Sequence, residues 1–207
     1  MNDLIDIYRT ESREMFDSIP TTSIAKFIDL MFKTYKEEGT IFIAGNGGSV
    51  GYVQNLVIDF NIHPFVSEDK SSQKIERNNF KCINLCSDQA TITGITNDLG
   101  FDSVYSEQLK YQGEERDVFI GMSGSGNSGN ILEAMKLAKR KKMTTILMTR
   151  NETNKCNDYA DLTLTVIGTS SFPGQTGGNN NNFHFEDILS KITHLTCGVL
   201  KKRIQDA

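Results

Sequence analysis

The sequence predicts an α/β fold in which two helices precede a doubly wound, five-stranded parallel sheet, and three observations carry that reading. Short apolar runs recur five times between residues 40 and 167, at 40–44, 80–85, 117–122, 144–149 and 162–167. Segments with helical apolar spacing separate the first four of them. Two of the strand-to-helix turns are rich in glycine, Gly45-Asn46-Gly47-Gly48-Ser49 and Ser123-Gly124-Ser125-Gly126-Asn127-Ser128. Such alternation calls for parallel pairing with helices on both faces of the sheet. The 207 residues suit a single core, so one domain over 1–207 is expected, with 1–38 as N-terminal helices and 39–207 as the α/β sandwich.

Leu4, Ile5, Tyr8, Met15 and Phe16 mark a first amphipathic helix that stops before Pro20. Thr21 or Thr22 is expected to cap a second, whose apolar positions Ile24, Phe27, Ile28, Met31 and Phe32 run on toward Glu37. Gly39 breaks that pattern ahead of the first strand, and the helix after the Gly45 turn runs through Phe60. Residues 64–79 are polar and charged and read as a surface loop, with 67–73 its most mobile part. Between the second and third strands a helix is expected over 88–97, and 104–109 as part of another. After the serine turn, Ile131, Leu132, Met135 and Ala138 repeat at helical spacing, and Lys139 to Lys142 place cations at the negative end of that helix.

Composition narrows the partners. A net charge of -4 with interspersed signs leaves no electrostatic footprint for nucleic acid or an anionic membrane surface. No apolar run reaches the length of a membrane span, and the first residues carry acids rather than a basic leader. Cys82, Cys86, Cys156 and Cys197 lack a paired metal-ligand spacing and read as buried thiols in a reducing, cytoplasmic compartment.

Both glycine-rich turns follow strands, and ligands in open parallel sheets bind beyond the carboxyl ends of the strands. The turn at 123–128 offers three hydroxyls, close backbone approach at its glycines and free amides at a helix start, a combination suited to a phosphate dianion. An ordinary Gly/Ser connection is the alternative for that motif alone. Neither turn has the spacing of a dinucleotide fingerprint, and no Gly-Lys-Ser/Thr of a nucleotide P-loop is present.

Together with Asn97-Asp98-Leu99-Gly100-Phe101, the two turns resemble the three signature segments of sugar isomerase (SIS) domains, specifically the phosphoheptose isomerase group. The resemblance runs from about Thr22 to the C-terminal helix. It implies that Ser123, Gly124, Ser125 and Ser128 hold a sugar phosphate, that Asn46, Gly47, Gly48, Ser49, Asn97 and Asp98 surround the sugar, and that the protein is a homotetramer with sites at subunit interfaces. It further implies interconversion of ketose and aldose phosphates through an enediol, with no redox cofactor. The typical zinc-binding His and Glu of the group fall at Asn55 and Asp59 here, and its Gln and His on the last helix fall at Glu186 and His194. On this basis Asp59 and His194 are expected to move protons and Glu186 to orient a hydroxyl or a metal. No metal ligand is assigned, and zinc stays open because Asp59, Glu186 and His194 retain only part of the family's set.

Three further readings stay open. Residues 174–182, Gly174 to Asn182, are either a solvated linker or a lid that supplies amides to sugar hydroxyls. His184 is either an early helix residue or a pocket residue, and His63, at a position where the resemblance implies a basic residue, is either that or part of the turn that its neighbour Pro64 marks. The altered Asn55 and Glu186 fit a second functional class, a non-catalytic SIS-type sugar-phosphate-binding or regulatory protein; Asp59 and His194 favour the enzyme.

Overall fold

The computed structural model describes residues 2–67, 69 and 78–206. Its five strands are β1 (Thr40–Gly45), β2 (Lys81–Asn84), β3 (Val118–Met122), β4 (Thr144–Thr149) and β5 (Leu162–Thr165), all parallel in the order β2-β1-β3-β4-β5. The helices are α1 (Asn2–Asp17), α2 (Thr21–Lys36), α3 (Ser49–Ile62), α4 (Gln89–Leu99), α5 (Val104–Gln112), α6 (Gly129–Arg140) and α7 (Asn182–Gln205). The strand order reverses between β1 and β3, and at such a switch point the loops leaving the two strands diverge and open a crevice. Both glycine-rich turns leave the sheet there, as Gly45 pairs in register with Met122.

The pleat sorts the strand residues onto two faces. Ile41, Ile43, Ile120 and Met148 meet Phe27 and Met31 of α2, Phe60 of α3 and Ile188 of α7 on one side. Phe42, Ala44, Phe119 and Leu147 meet Leu109 of α5 and Ile131 and Met135 of α6 on the other. A fully buried side chain such as Phe27 or Phe60 contributes roughly 1.5–3 kcal/mol. The strands are therefore near-continuous apolar runs because both of their faces are covered.

Several local expectations change. Neither threonine caps α2: Pro20 occupies the cap position and no side chain there accepts a hydrogen bond, Thr21 being already helical. Proline before a helix presets the backbone angle without needing a donor. The strands β2 and β5 are shorter than their apolar runs; β5 stops at Thr165 opposite Thr149, where β4 ends, and β2 begins at Lys81 opposite Thr40, where β1 begins. The loop expected over 64–79 lies largely outside the described residues; at its start His63–Phe65 form a 3-10 turn with Pro64 and Phe65 buried. Asp88 does cap α4, its carboxylate accepting from the Ala90 amide at 3.0 Å. The apolar stripe of α2 is consumed within the protomer, whereas α1 buries only Ser12 and Met15 and leaves Leu4 and Ile5 exposed.

Cys82, Cys156 and Cys197 are buried free thiols, while Cys86 is half-buried against the Gly45 turn. Among the described residues no helix is long and apolar enough to cross a membrane.

Candidate functional site

At the end of β1 the backbone turns through Gly47, whose φ of +55° lies in the left-handed region that favours glycine. Gly48 then packs directly under the Glu186 carboxylate: a Cβ there would stand 2.2 Å from Oε1. The first turn is thus shaped to receive the start of α7 at van der Waals distance. Asn46 joins it to α6 through a reciprocal amide pair, donating to Asn130 Oδ1 at 2.9 Å and accepting from Asn130 Nδ2 at 2.8 Å. Behind it, the buried Tyr105 hydroxyl donates to the Gly45 carbonyl at 2.6 Å. Ser49 is buried at the start of α3.

The second turn closes on itself. Ser123 is buried, its Oγ lies 3.0 Å from Ser128 Oγ, and it accepts from the Gly126 amide at 3.1 Å. The exposed Ser125 hydroxyl accepts from the Asn127 amide at 3.1 Å. Ser128 occupies the cap position of α6, yet its side chain accepts no capping hydrogen bond. Ser128 thus leaves the amides at the head of α6 to other partners, and Asn130 Oδ1 takes that of Ile131 at 2.9 Å. The Ser123 and Ser128 hydroxyls meet, whereas the exposed Ser125 hydroxyl bonds only within its own turn.

Arg150, the first residue after β4, lies over this turn. Its Nε would stand 3.0 Å from a Cβ on Gly124, and Nη1 donates to the Thr176 carbonyl at 2.6 Å. Burial lowers the pKa of the guanidinium, and the charge of Glu186 offsets part of that effect. Glu186 itself is raised above the ordinary carboxyl range by burial first and by the neighbouring Asp187 second, with Arg150 pulling the other way. A cation over the second turn thus feels an anion over the first.

In the segment 174–182 Gln175 and Asn181 are buried while Gly174, Thr176, Gly177 and Gly178 are exposed, and its asparagines do more than solvate. Asn181 is fully buried and donates to the Gly168 carbonyl at 2.8 Å, and Asn179 donates to the Arg150 carbonyl at 2.8 Å. His184 does not face the crevice. It is fully buried against α1, with Nε2 3.1 Å from Glu11 Oε2 and 3.3 Å from Ser170 Oγ, and its ring lies 4.3 Å from that of Tyr8.

Asp59 and His194 meet across α3 and α7, Oδ2 to Nε2 at 3.3 Å, without the alignment of a hydrogen bond. His63 approaches the same carboxylate at 3.5 Å. Asp59 is buried, whereas the His194 side chain is 65% exposed. The pair sits roughly three helical turns along α3 from Gly48, and Glu186 lies about 12 Å of helix rise from His194. Glu186 is therefore not brought to Asp59 and His194 within the protomer, and among the described residues no three His, Cys, Asp or Glu side chains form a metal-binding group. Asn55 is exposed and offers only an amide. These residues in one protomer do not fit a zinc site.

Asn97 and Asp98 lie on the exposed end of α4, where Asn97 Nδ2 donates to Asp98 Oδ1 at 2.8 Å. From that segment it is Asp102 that reaches α6: a Cβ on Gly129 would stand 2.2 Å from its Oδ1. Sequence reasoning missed Asn130, Tyr105, Arg150 and Asp102. The first stands two residues after the serine motif and Arg150 directly follows a strand at the ligand-binding edge, a signal that could have found both; Tyr105 and Asp102 carry no such mark.

Residues 8–150 match the family model described as SIS domain. The chain is 34% identical over 139 residues to a protein named phosphoheptose isomerase from Helicobacter pylori (strain P12), covering 67% of this chain and 68% of that one. A protein of the same name from Geobacter sulfurreducens is 30% identical over 181 residues, 87% of this chain and 85% of the other. Among solved structures, phosphoheptose isomerase GmhA from Neisseria gonorrhoeae superposes with a TM-score of 0.79 at 23% identity, covering 97% and 98% of the two chains.

Proposed function

We propose, from the premise that this chain belongs to the SIS domain family, a ketose–aldose isomerisation of a phosphorylated sugar in the crevice between the two glycine-rich turns. The chain is a sugar-phosphate isomerase similar to the phosphoheptose isomerases. The observation that carries the reading is the serine turn: the paired Ser123 and Ser128 hydroxyls lie at the head of α6, at the sheet's switch point, in the same short turn as Ser125. There the phosphate would be held by Ser123, Gly124, Ser125 and Ser128. Asn46, Gly47, Gly48, Ser49, Asn97, Asp98 and Glu186 would line the sugar.

Isomerisation moves one carbon-bound proton and one hydroxyl proton. A base removes a proton from C1 of the ketose, the C–H electrons form the C1–C2 double bond as the C2 carbonyl oxygen takes up the π electrons and a proton to give the enediol, and protonation at C2 as O1 loses its proton yields the aldose. Asp59 and His194 supply the base and the acid in this reading; their 3.3 Å separation keeps both within reach of neighbouring atoms of one substrate. No step is routed through a metal.

The exposed face of His194 and its distance along α7 from Glu186 support a site completed by a second copy. The substrate phosphate then sits on one protomer's serine turn while its reacting carbons meet the proton-transfer pair of another. The exposed apolar residues Leu4 and Ile5 on α1, and Ile58 and Ile62 on α3, support a homo-oligomer, a tetramer in this reading. The free, buried cysteines support residence in the cytoplasm.

Incubation with sedoheptulose 7-phosphate in deuterium oxide tests the reaction. Deuterium appearing on sugar carbon, with aldose product, is the expected result. Binding of the sugar phosphate without exchange would leave only a binding protein.

A further inference from the structure

Arg150 stands apart from the residues that either glycine-rich motif contains, yet the fold places it at their common edge. Its backbone amide donates to the Gly124 carbonyl at 3.2 Å, so its Cα is fixed to the serine turn independently of the side chain. The guanidinium then lies between two glycines. Nε faces Gly124 of the serine turn, and Nη2 would come within 1.9 Å of a Cβ on Gly177, which has a φ of +89°. A Cβ at Gly177 would overlap the guanidinium, and one at Gly124 would crowd it. On the far side Nη1 donates to the Thr176 carbonyl at 2.6 Å and to Asn181 Oδ1 at 3.3 Å.

The group is half-buried and makes no ion pair among the described residues, Glu186 acting on it only at longer range. A partly desolvated guanidinium that donates only to neutral oxygens retains its capacity for a charge-assisted, two-pronged bond. Across the turn from it are the hydroxyls already placed as phosphate ligands, none of which carries a charge. A dianion held by neutral donors alone would be poorly compensated at this edge.

We propose that Arg150 is a further substrate-binding residue, the cation that neutralises the sugar phosphate on the serine turn, and that by the same side chain it fastens residues 174–182 beside the bound phosphate. The inference rests on the reading of the serine turn as the phosphate site. It adds two things to that reading: a preference for dianionic phosphate, and a mechanical tie between phosphate and the segment that enters α7 at Glu186. Thr176, Gly177 and Asn181 hold one edge of the guanidinium, and Asn179 bonds to the backbone carbonyl of the same arginine. The segment and the phosphate thus share one anchor.

The test compares Arg150→Met, Arg150→Lys and the double variant Ser125→Ala/Ser128→Ala with the unaltered protein. Two probes are titrated, sedoheptulose 7-phosphate by calorimetry and inorganic phosphate by phosphorus NMR. Arg150→Met should lose ~10–100-fold affinity for both probes by the same factor, as loss of a charge-assisted bond predicts. Arg150→Lys keeps the charge but not the fork, and should recover most of that loss. If Arg150→Met weakens the sugar phosphate but leaves inorganic phosphate unchanged, the residue only holds the segment, and the inference is overturned. Unchanged affinity for both probes also overturns it, while loss in the serine variant shows the phosphate site itself to stand. Should the serine variant bind the sugar phosphate as well as the unaltered protein does, the underlying site reading fails instead. A thermal melt of each variant separates loss of binding from loss of fold, and Arg150→Lys serves as the folded comparison if Arg150→Met does not fold.

Discussion

Asn46 and Asn130 exchange two side-chain hydrogen bonds across the sheet's switch point, at 2.9 and 2.8 Å. Each amide is both donor and acceptor to the other, so the first glycine-rich turn and the first turn of α6 are set at a fixed separation. Asn130 Oδ1 also accepts from the Ile131 amide at 2.9 Å, and the residue is 1% exposed. The crevice therefore has one wall that is cross-braced before any substrate arrives.

Asn130→Ala should destabilise the fold by about 1–3 kcal/mol, since it removes the partner of the buried Ile131 amide and breaks both bonds to the half-buried Asn46 side chain. Urea denaturation measures that loss. The same variant should weaken sugar-phosphate binding even at temperatures where it is fully folded, because the spacing of the two turns is relaxed.

The double variant Ser125→Ala/Ser128→Ala should weaken sugar-phosphate binding by roughly 1–3 kcal/mol, the usual cost of hydrogen bonds lost to a charged group. Isothermal calorimetry gives the figure directly. Melting temperature should barely move, because Ser125 is exposed and Ser128 provides no helix cap.

Replacing Asp59 by Asn or His194 by Ala should slow carbon-bound deuterium exchange by on the order of a hundred- to ten-thousandfold, the range for removing a general acid or base. Binding of the sugar phosphate should survive, since the phosphate contacts lie elsewhere. Exchange at the normal rate in both variants would remove these residues from the chemistry.

Glu11 predicts an acid-dependent loss of stability. Burial alone would raise its carboxyl, but hydrogen bonds from Ser170 and Ser171, with His184 beside them, outweigh that and bring it down to about 2. A carboxyl lowered on folding stabilises the native state fully above its ordinary pKa of 4.5, and that stabilisation disappears as pH falls from there toward 2. The difference in denaturation free energy between the unaltered protein and Glu11→Gln should be on the order of 1–3 kcal/mol at pH 7 and shrink steadily below pH about 4.5. A difference independent of pH would show that the carboxylate charge is not what joins α1 to the entry of α7.

Leu4→Glu combined with Ile5→Glu tests the oligomer. Both side chains are exposed in the protomer, so the substitutions should leave its fold intact while lowering the mass found by light scattering. Because the proposed site spans two copies, isomerase exchange should fall in parallel.

Much of the architecture was legible in the residues alone because it depends on local periodicity. Apolar runs such as 118–122 and the helical spacing of Ile131, Met135 and Ala138 specify strand and helix before any long-range contact forms. The glycine and serine content of the turns was legible for a related reason: close backbone approach and free hydroxyls are properties of residue type. Helix caps and strand ends were less so. Pro20 rather than a threonine begins α2, and β5 stops at Thr165, because those limits depend on packing angle and on the length of the neighbouring strand.

By itself the sequence determined the parallel α/β class, the serine turn at the head of α6 and the candidacy of Asp59 and His194. Tertiary structure alone decided that Asn130 braces Asn46, that His184 serves α1 rather than the crevice, and that Glu186 sits on Gly48 far from His194. It also decided that Arg150 crosses from β4 to the serine turn and meets Gly177, a residue twenty-seven positions later. Periodicity and motif spacing encode what neighbours in the chain do together. Which side chains meet across the switch point depends on how the helices pack on the twisted sheet, and no local pattern carries that information.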